Sequence, residues 1–280
     1  MRRVWTKVLW ATVATVATVA TATAAAQAVA ATDDPDRDLQ VVVGEPDFTL
    51  GALPTTLRLP KGKMAFRITH RFTYAINDGS VGQFFDNGFG FDSSATTGFE
   101  LRFGLAAGTQ LTVHRTGSRN IQFLAQRQMV AQRHGRGLSF DIVGAIEGQN
   151  NFREEYSFVA GGMLSHRMGD RGAIYLEPIF VANATPEFPN SDQNTLVLGV
   201  GTRIRLGSSR AYLVAEVAPR VSGYGGGTSL MTFGIEKRAG GHMFQLNVSN
   251  AFGTTLTQVG HGGPATKHWH LGFNLTRKFY

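Results

Sequence analysis

The chain has 280 residues, a formal net charge of +7, 42% hydrophobic residues and no cysteine. The absence of cysteine excludes disulfide bonds, thiol catalysis, cysteine metal ligands and a lipid anchor on an N-terminal cysteine. Beyond the N-terminus no segment approaches 18 consecutive apolar residues, so no membrane-spanning helix is expected.

The first 30 residues have the pattern of a secretory signal peptide. Arg2, Arg3 and Lys7 precede an apolar stretch of Ala, Val and Thr, and two small-x-small sites end at Ala28 and Ala30. A retained anchor is the alternative, but the apolar centre is weak and cleavage-type residues follow it. Cleavage leaves 24 basic and 20 acidic residues, a net charge of +4, on an exported chain that would not meet nucleic acid.

Residues 31–62 follow as an irregular leader with an aspartate-rich start and four prolines. The valine run at 41–43 is interpreted either as a short strand or as a segment inside a barrel. The predicted organisation is therefore a signal peptide at 1–30, a periplasmic leader or plug at 31–62, and a barrel domain at 63–280.

From residue 64 onward the sequence alternates apolar and polar residues with a period of two, which predicts β-strands. In the first, Met64–Ala75, Phe66 and Ile68 take one face, and Arg67 and Arg71 take the other. Twelve such segments are predicted, each of about 10 residues, the length that a tilted strand needs to cross a membrane.

Four of the segments, the third, fourth, seventh and ninth, alternate less clearly than the rest. Pro178 lies inside the seventh and cannot donate a ladder hydrogen bond, which predicts a bulge.

The connections between these strands mostly alternate long and short. Long ones such as 76–96 and 252–266 are separated by tight turns such as 106–108 and 240–241, and only the connection near Gly117 is short where a long one is due. Bacterial outer-membrane barrels have short periplasmic turns and longer outside loops, whereas the loops of a soluble β-sandwich need not alternate in length. The sequence therefore predicts an all-β fold: one transmembrane antiparallel up-and-down barrel of about 12 strands.

The C-terminal strand ends in aromatic residues, as does the signal read by the barrel-assembly machinery. Its apolar series is offset by one residue, so that it ends at Phe279, and Arg277 interrupts it. An arginine near the membrane interface can extend its charged end into water. The lipid bilayer and, during biogenesis, the assembly machinery are therefore the predicted partners.

Charged side chains on the polar faces of the strands are the candidate lumen lining. They comprise six basic and six acidic residues: Arg67, Arg71, Glu100, Arg102, Asp141, Glu147, Arg167, Glu177, Arg203, Arg205, Glu216 and Glu236. A charged lining can select solutes. Alternatively the two signs pair with each other and fill the interior, since buried charges need partners.

Twelve strands lie between eight, where side chains fill the interior, and the sixteen or more of wide porins. A narrow pore and a plugged one both fit that size. The leader 31–62 is one candidate plug, and the first long loop, with Phe84, Phe85, Phe89 and Phe91, is another. The loop aromatics could instead form an outside apolar patch or pack on one another.

The last long loop and strand contain three histidines, His261, His268 and His270. Two histidines at i and i+2 can bind one metal, but no acidic residue nearby in the sequence completes a set, and Trp269 is interpreted as an interfacial aromatic. No metal and no cofactor are predicted.

An enzyme is not predicted either. Ser139, Ser157 and Ser165 could face inward, as could His114, but neither a Gly-x-Ser-x-Gly nor a His-Glu-x-x-His motif is present. The glycine-rich segment 223–229 lacks the lysine and the following helix of a phosphate loop.

The segment 59–72, Leu-Pro-Lys-Gly-Lys-Met-Ala-Phe-Arg-Ile-Thr-His-Arg-Phe, resembles the opening strand of a bacterial family of membrane-bound β-barrel domains of unknown function. The resemblance extends over 59–280 and includes the turn at Phe252 and Gly253. It implies the fold and the location, and it implies no activity or functional residue.

The predicted function is that of an outer-membrane barrel that forms a narrow porin-like channel or binds and transports a small solute. The alternative is a non-conducting structural or partner-docking barrel. A third hypothesis is a barrel enzyme that acts on lipid.

Overall fold

The computed structural model describes residues 42–133, 136–184, 194–264 and 267–279, so the predicted signal peptide and the start of the leader lie outside it. Strands dominate these residues, in chain order: β1 Met64–Ala75, β2 Ala95–Ala106, β3 Thr109–Thr116, β4 Ile121–Val130, β5 Ser139–Gly148, β6 Glu154–Arg167, β7 Gly172–Ala182, β8 Thr195–Arg205, β9 Ala211–Ala218, β10 Arg220–Ser222, β11 Leu230–Ala239, β12 His242–Ser249 and β13 His270–Phe279. The helical segments are short: α1 Val81–Asp86, α2 Gln149–Phe152, which is a single turn with positive φ at its last three residues, and α3 Leu256–His261. The described helices are too short and too polar to cross a lipid bilayer.

All strand pairs are antiparallel, and the sheet closes on itself. β1 pairs with β13, with Arg67 opposite Thr276, and β9 pairs with both β8 and β11. β10 continues β9 beyond Pro219 and also pairs with β8, so the two together fill one strand position. The result is a closed barrel of twelve strand positions, which confirms the predicted fold class.

The alternation of side chains places apolar residues outside and polar residues inside. On β1, Arg67, Thr69 and Arg71 are buried, whereas Phe66 and Ile68 lie on the outer face. The exposed large hydrophobic residues follow the outer faces of the other strands, among them Phe99, Leu101, Ile142, Ile174, Phe180, Leu213, Phe233, Ile235, Phe244 and Leu246. An apolar band around a polar interior is the arrangement of a barrel in contact with lipid.

The barrel has a turn end and a loop end, as the connection lengths predict. Among the described residues, the turn end carries 107–108, 131–133, 136–138, 168–171, 206–210 and 240–241, and the loop end carries 76–94, 117–120, 149–153, 183–184, 223–229, 250–264 and 267–269. The connection at 131–138 is longer than its neighbours at the turn end, a departure from the predicted alternation.

The bulge predicted at Pro178 is wrong. The β6–β7 pairing keeps one register from Phe158 opposite Ala182 to Arg167 opposite Ala173. The proline and Glu177 simply leave two positions of this ladder unpaired, while both residues remain paired with β8 on the other side. Proline is therefore tolerated here by a gap in one ladder rather than by an inserted residue.

Candidate functional site in the barrel lumen

Residues 42–60, called the N-terminal hairpin below, lie inside the barrel. Nearly all of them are buried, including Phe48, Leu50 and Leu53. The segment folds back on itself, because the Thr55 amide donates to the Phe48 carbonyl at 2.8 Å and the Leu50 amide donates to the Leu53 carbonyl at 2.8 Å. The hairpin enters and leaves at the turn end. Its apolar tip, residues 50–53, points toward the loop end.

Glu216 on β9 holds the tip of the hairpin. Its carboxylate accepts the backbone amides of Gly51, Ala52 and Leu53 at 2.9, 2.8 and 3.0 Å. Hydrogen bonds to a charged acceptor each contribute about 1.5–3 kcal/mol, more than neutral ones. One wall residue therefore satisfies three consecutive amides that have no partner within the hairpin.

Further wall residues bind the hairpin carbonyls. Arg203 on β8 donates to the Thr49 carbonyl at 2.6 Å, and Gln245 on β12 donates to the Leu50 carbonyl at 2.9 Å. Other hydrogen bonds from the wall come from Arg67, Gln126, Tyr175, Tyr212 and Thr276. The hairpin is thus bonded around most of the barrel circumference.

Two inward-facing glycines on β8 make room for the tip. A Cβ atom at Gly201 would lie 2.1 Å from Leu50 Cδ1, and one at Gly199 would lie 3.0 Å from Leu53 Cδ1. Both distances are at or below the closest approach of real carbon atoms, so the two leucines occupy the space that side chains would fill.

Ten of the twelve candidate lumen-lining residues have almost no exposed surface: Arg67, Arg71, Glu100, Arg102, Asp141, Glu147, Glu177, Arg203, Glu216 and Glu236. The remaining two lie near the turn end, where Arg167 is 3.9 Å from Glu45 and Arg205 bonds the carbonyls of Ser208 and Ser209.

Most of the buried charges contact opposite charges. Arg203 binds Glu236 through two hydrogen bonds of 2.6 and 3.0 Å. Arg102 binds Glu100 at 2.7 Å. Asp141 pairs with Arg58 of the hairpin, a residue that was not among the sequence candidates. These contacts favour pairing within a filled interior over an open charged lining.

Glu177 is an exception among these carboxylates. It is fully buried beside the hairpin tip, and neither of its oxygens has a hydrogen-bond partner among the described residues. Arg58 and Glu216 are its charged neighbours.

A second segment enters the lumen from the loop end. Residues 250–264, called the loop insert below, contain α3, whose first turn is capped by the Thr255 side chain. Leu256 and Val259 are buried at 2% and 0% exposure and join a cluster with Leu53 of the hairpin. The two inserts therefore contribute side chains to one buried apolar cluster inside the barrel.

A polar cavity of about 310 Å³ remains at the loop end beside the loop insert. Asn120, Glu147, Ser157, Thr257 and Gln258 are among its lining residues. The Glu147 carboxylate accepts the side-chain amides of Asn120 at 2.8 Å and Gln122 at 2.9 Å. The cavity is thus a polar recess with a fixed carboxylate in its wall.

The three histidines of the last long loop and strand, His261, His268 and His270, lie at the loop end. Only His261 lines this cavity. His268 is 3.9 Å from Asp78, a carboxylate from the first long loop that the sequence did not bring near it. Across the described part of the chain, no group of three or more His, Cys, Asp or Glu residues is arranged to hold a metal.

The three inward serines do not form a nucleophile with a base. Ser139 accepts the Gln132 amide, Ser157 donates to the Asn183 carbonyl, and Ser165 shares a hydrogen bond with Thr56. None of these partners is a histidine or a carboxylate, so the hydroxyls have structural roles in the described residues.

The first long loop does not fill the lumen in its described parts. Phe85 and Phe91 are 56% and 48% exposed, and the Phe91 ring packs edge-on against Phe72 at 5.0 Å on the outer face. Of the two candidate plugs, it is the leader segment that lies inside the barrel.

Sequence reasoning missed the uncharged residues that hold the hairpin. Gln126, Tyr175 and Gln245 lie on the same inward faces as the charged candidates. The available signal was the presence of polar side chains at these alternate positions. That signal does not indicate which residues they would contact.

Comparison with known proteins agrees with this architecture. The family described as membrane bound beta barrel domain (DUF5777) matches residues 47–279. No curated protein matches the chain.

Two solved porins are similar in structure at low sequence identity. The KdgM porin is 9% identical, with a TM-score of 0.49, over 78% of this chain and 99% of that one. A mutant of the Rhodopseudomonas blastica porin is 10% identical, with a TM-score of 0.35. That match covers 66% of this chain and 55% of the porin, so the chain spans about half of the porin's length. The family match covers most of the sequence, and the chain therefore belongs to the membrane bound beta barrel domain family.

Proposed function

We propose that this protein is an outer-membrane barrel that is closed at rest by its N-terminal hairpin and passes a small solute when the hairpin moves. The observation that carries the proposal is the position of residues 42–60 inside the lumen, where wall side chains bond the backbone of the tip. An unplugged porin-like channel is not favoured, because most of the buried charges pair with each other or with the hairpin.

The outer membrane is proposed from the fold together with the N-terminus. An apolar outer band, short turns at one end and long loops at the other are typical of outer-membrane barrels. The predicted signal peptide, with cleavage near Ala28 or Ala30, supplies export. In this orientation the turn end faces the periplasm, so the hairpin enters from the periplasmic side.

The geometry of the hairpin supports a removable plug. Both of its ends lie at the turn end, so it could withdraw without threading the chain through the barrel. It is held by hydrogen bonds and ion pairs rather than by covalent bonds, and water could replace these partners after withdrawal. Because the wall charges would then be exposed to water, the open lumen would be a polar passage.

A disulfide between the hairpin and the wall tests this proposal. The hydroxyls of Thr56 and Ser165 are 2.5 Å apart, and the chain has no native cysteine. Replacing both residues with cysteine (T56C and S165C) places the two sulfurs near the distance of a disulfide bond. The hairpin can thus be locked by oxidation and released by reduction in the same protein.

The measurement is single-channel conductance in planar bilayers. Glu216→Ala removes the acceptor of three tip amides, and we expect this variant to open. In the triple variant with T56C and S165C we expect silence when oxidised and conductance when reduced. Conductance of the oxidised protein would show that the hairpin is not the barrier. Silence of Glu216→Ala in a folded barrel would reject solute passage.

The second candidate function is a non-conducting barrel with a structural or docking role. The observation in its favour is that two segments, one from each end, occupy the lumen and contribute Leu53 and Leu256 to one buried apolar cluster. Withdrawal of the hairpin alone would then leave the loop insert in place. The same conductance series separates the two functions, because the docking barrel stays silent in every variant.

The proposal assigns no enzymatic activity, metal or cofactor to this barrel. A lipid-acting enzyme would need one of the inward serines as nucleophile, and Ser157 and Ser165 are engaged with the Asn183 carbonyl and with Thr56. Loss of a lipid-hydrolysing activity in Ser157→Ala or Ser165→Ala would contradict this assignment.

A further inference from the structure

The loop-end cavity contains a buried carboxylate with an unusual set of neighbours. Glu147 is 2% exposed, and the groups around it are the amides of Asn120 and Gln122 and the hydroxyls of Thr255 and Thr257. All of these are neutral. Among the residues that the structure describes, no lysine, arginine or histidine forms an ion pair with it.

Three other buried carboxylates that face the lumen show what this difference means. Glu100 and Glu236 are bound by arginines, and Glu216 accepts three backbone amides of the hairpin. The arginines and the hairpin amides occupy these three carboxylates and close the interior, so none of the three has a free face. Glu147 instead lines a recess that opens at the loop end, so its counter-charge can arrive from outside.

The rest of the cavity wall is mainly polar, and it includes a second acidic residue, Glu155, and the imidazole of His261. Ser118, Ser157 and Gln258 line it with hydroxyls and an amide, which can donate to or accept from the hydroxyls of a ligand. The volume of about 310 Å³ lies at the lower limit for small-molecule sites and suits one sugar-sized molecule rather than a polymer.

We propose that this cavity binds a small hydroxylated organic cation, such as an amino sugar, with its ammonium group on Glu147. An ammonium donates up to three hydrogen bonds, and a carboxylate held by two amides keeps lone pairs available for it. Burial from water strengthens the attraction, because opposite charges attract each other more strongly where the effective dielectric constant is lower than in bulk water.

The site deepens the proposed function, because it names the class of solute that the barrel would recognise on its outer side. It rests on the proposed function only for the orientation of the loop end. Binding in the cavity needs no movement of the hairpin, so binding can be measured in a protein that does not conduct.

The test compares glucosamine with glucose, two sugars that differ by a single ammonium in place of a hydroxyl. Their affinities are measured by isothermal titration calorimetry on the refolded mature chain in detergent. We expect glucosamine to bind at least tenfold more tightly than glucose. Equal affinities, or no binding of glucosamine, would overturn the proposal without bearing on the conductance experiment.

Variants locate the binding. Glu147→Gln keeps the size of the side chain and removes its charge, and we expect it to abolish the preference for glucosamine. The matched control is Glu154→Gln, which removes an exposed carboxylate nearby and should leave the preference unchanged. Heat-modifiable migration in gels establishes that each variant is a folded barrel. An unchanged preference in folded Glu147→Gln, or its loss in Glu154→Gln, would reject Glu147 as the recognition group.

Discussion

The two segments that fill the lumen are held there by different forces. The N-terminal hairpin is bonded by wall side chains, with the Glu216 carboxylate on its amides and Arg203 and Gln245 on its carbonyls. The loop insert is instead packed through Leu256 and Val259 against the apolar cluster inside the barrel. The hairpin should therefore respond to changes of charge, and the loop insert to changes of apolar volume.

The largest effect on stability is expected at Arg203, which binds both Glu236 in the barrel wall and the Thr49 carbonyl of the hairpin. Arg203→Met leaves Glu236 buried without its counter-charge and removes the donor to Thr49, and we expect a loss of about 3–5 kcal/mol in the free energy of unfolding. Urea titration followed by the fluorescence of Trp269, the one tryptophan beyond the predicted signal peptide, measures it.

The matched control for Arg203 removes both charges together. Arg203→Met with Glu236→Leu replaces the ion pair with apolar side chains, and we expect it to recover most of the loss. If the double variant is as unstable as the single one, the hairpin carbonyls rather than Glu236 account for the effect. The hairpin would then be even more dependent on wall donors than the contacts indicate.

Truncation of the loop insert should have a slightly smaller effect and a different location. Leu256→Ala opens a cavity in the apolar cluster, and we expect a loss of about 3 kcal/mol in the free energy of unfolding. The backbone amides of Gly51–Leu53 should keep their protection from hydrogen exchange, because Glu216 still binds them. Faster exchange at those amides would mean that the two inserts are one cooperative unit, joined through Leu53.

The next substitution removes a contact of the hairpin and leaves the loop insert unchanged. Glu216→Gln keeps one carbonyl acceptor but removes the charge, and we expect weaker binding of the tip by about 2 kcal/mol. Hydrogen exchange at the amides of Gly51, Ala52 and Leu53 should become faster, while α3 keeps its protection. Unchanged exchange at the tip would show that Arg203 and Gln245 are sufficient to hold it.

The barrel was predictable from sequence because its causes are local. Alternation along each strand separates Phe66 from Arg67, and loop lengths separate the two ends, so strand number and facing follow without tertiary information. The same alternation predicted an inward-facing position for ten charged residues that the structure buries, since every second residue of a membrane strand avoids lipid.

The interior was less predictable because its contacts join distant parts of the chain. Glu216 binds amides 163 to 165 residues away in sequence, and no local pattern selects that partner over another. An ion pair can be predicted from sequence only where its two residues are close in the chain, as Glu100 and Arg102 are on one face of β2. The leader was therefore recognisable as a candidate plug, but its hairpin shape depends on wall residues that sequence cannot assign.

The smallest expected effect concerns the space that β8 leaves for the hairpin tip. Gly201→Ala places a methyl group 2.1 Å from the present position of Leu50 Cδ1. The leucine has to rotate away, and we expect a loss of about 1 kcal/mol in stability, near the lower limit for overpacking. Hydrogen exchange should become faster at the tip, while α3 keeps its protection because the loop insert does not touch this position.

Two variants give this last prediction its controls. Gly144→Ala adds the same methyl group on the outer face of β5, where its nearest neighbour would be the Val159 carbonyl oxygen 3.8 Å away, so no loss is expected. Gly201→Ala with Leu50→Val removes one methylene from the crowded side chain and should slow exchange at the tip again. If Gly201→Ala proves neutral, the tip has room to move within the lumen. The hydrogen bonds to Glu216, rather than the fit against β8, would then be what keeps the barrel closed.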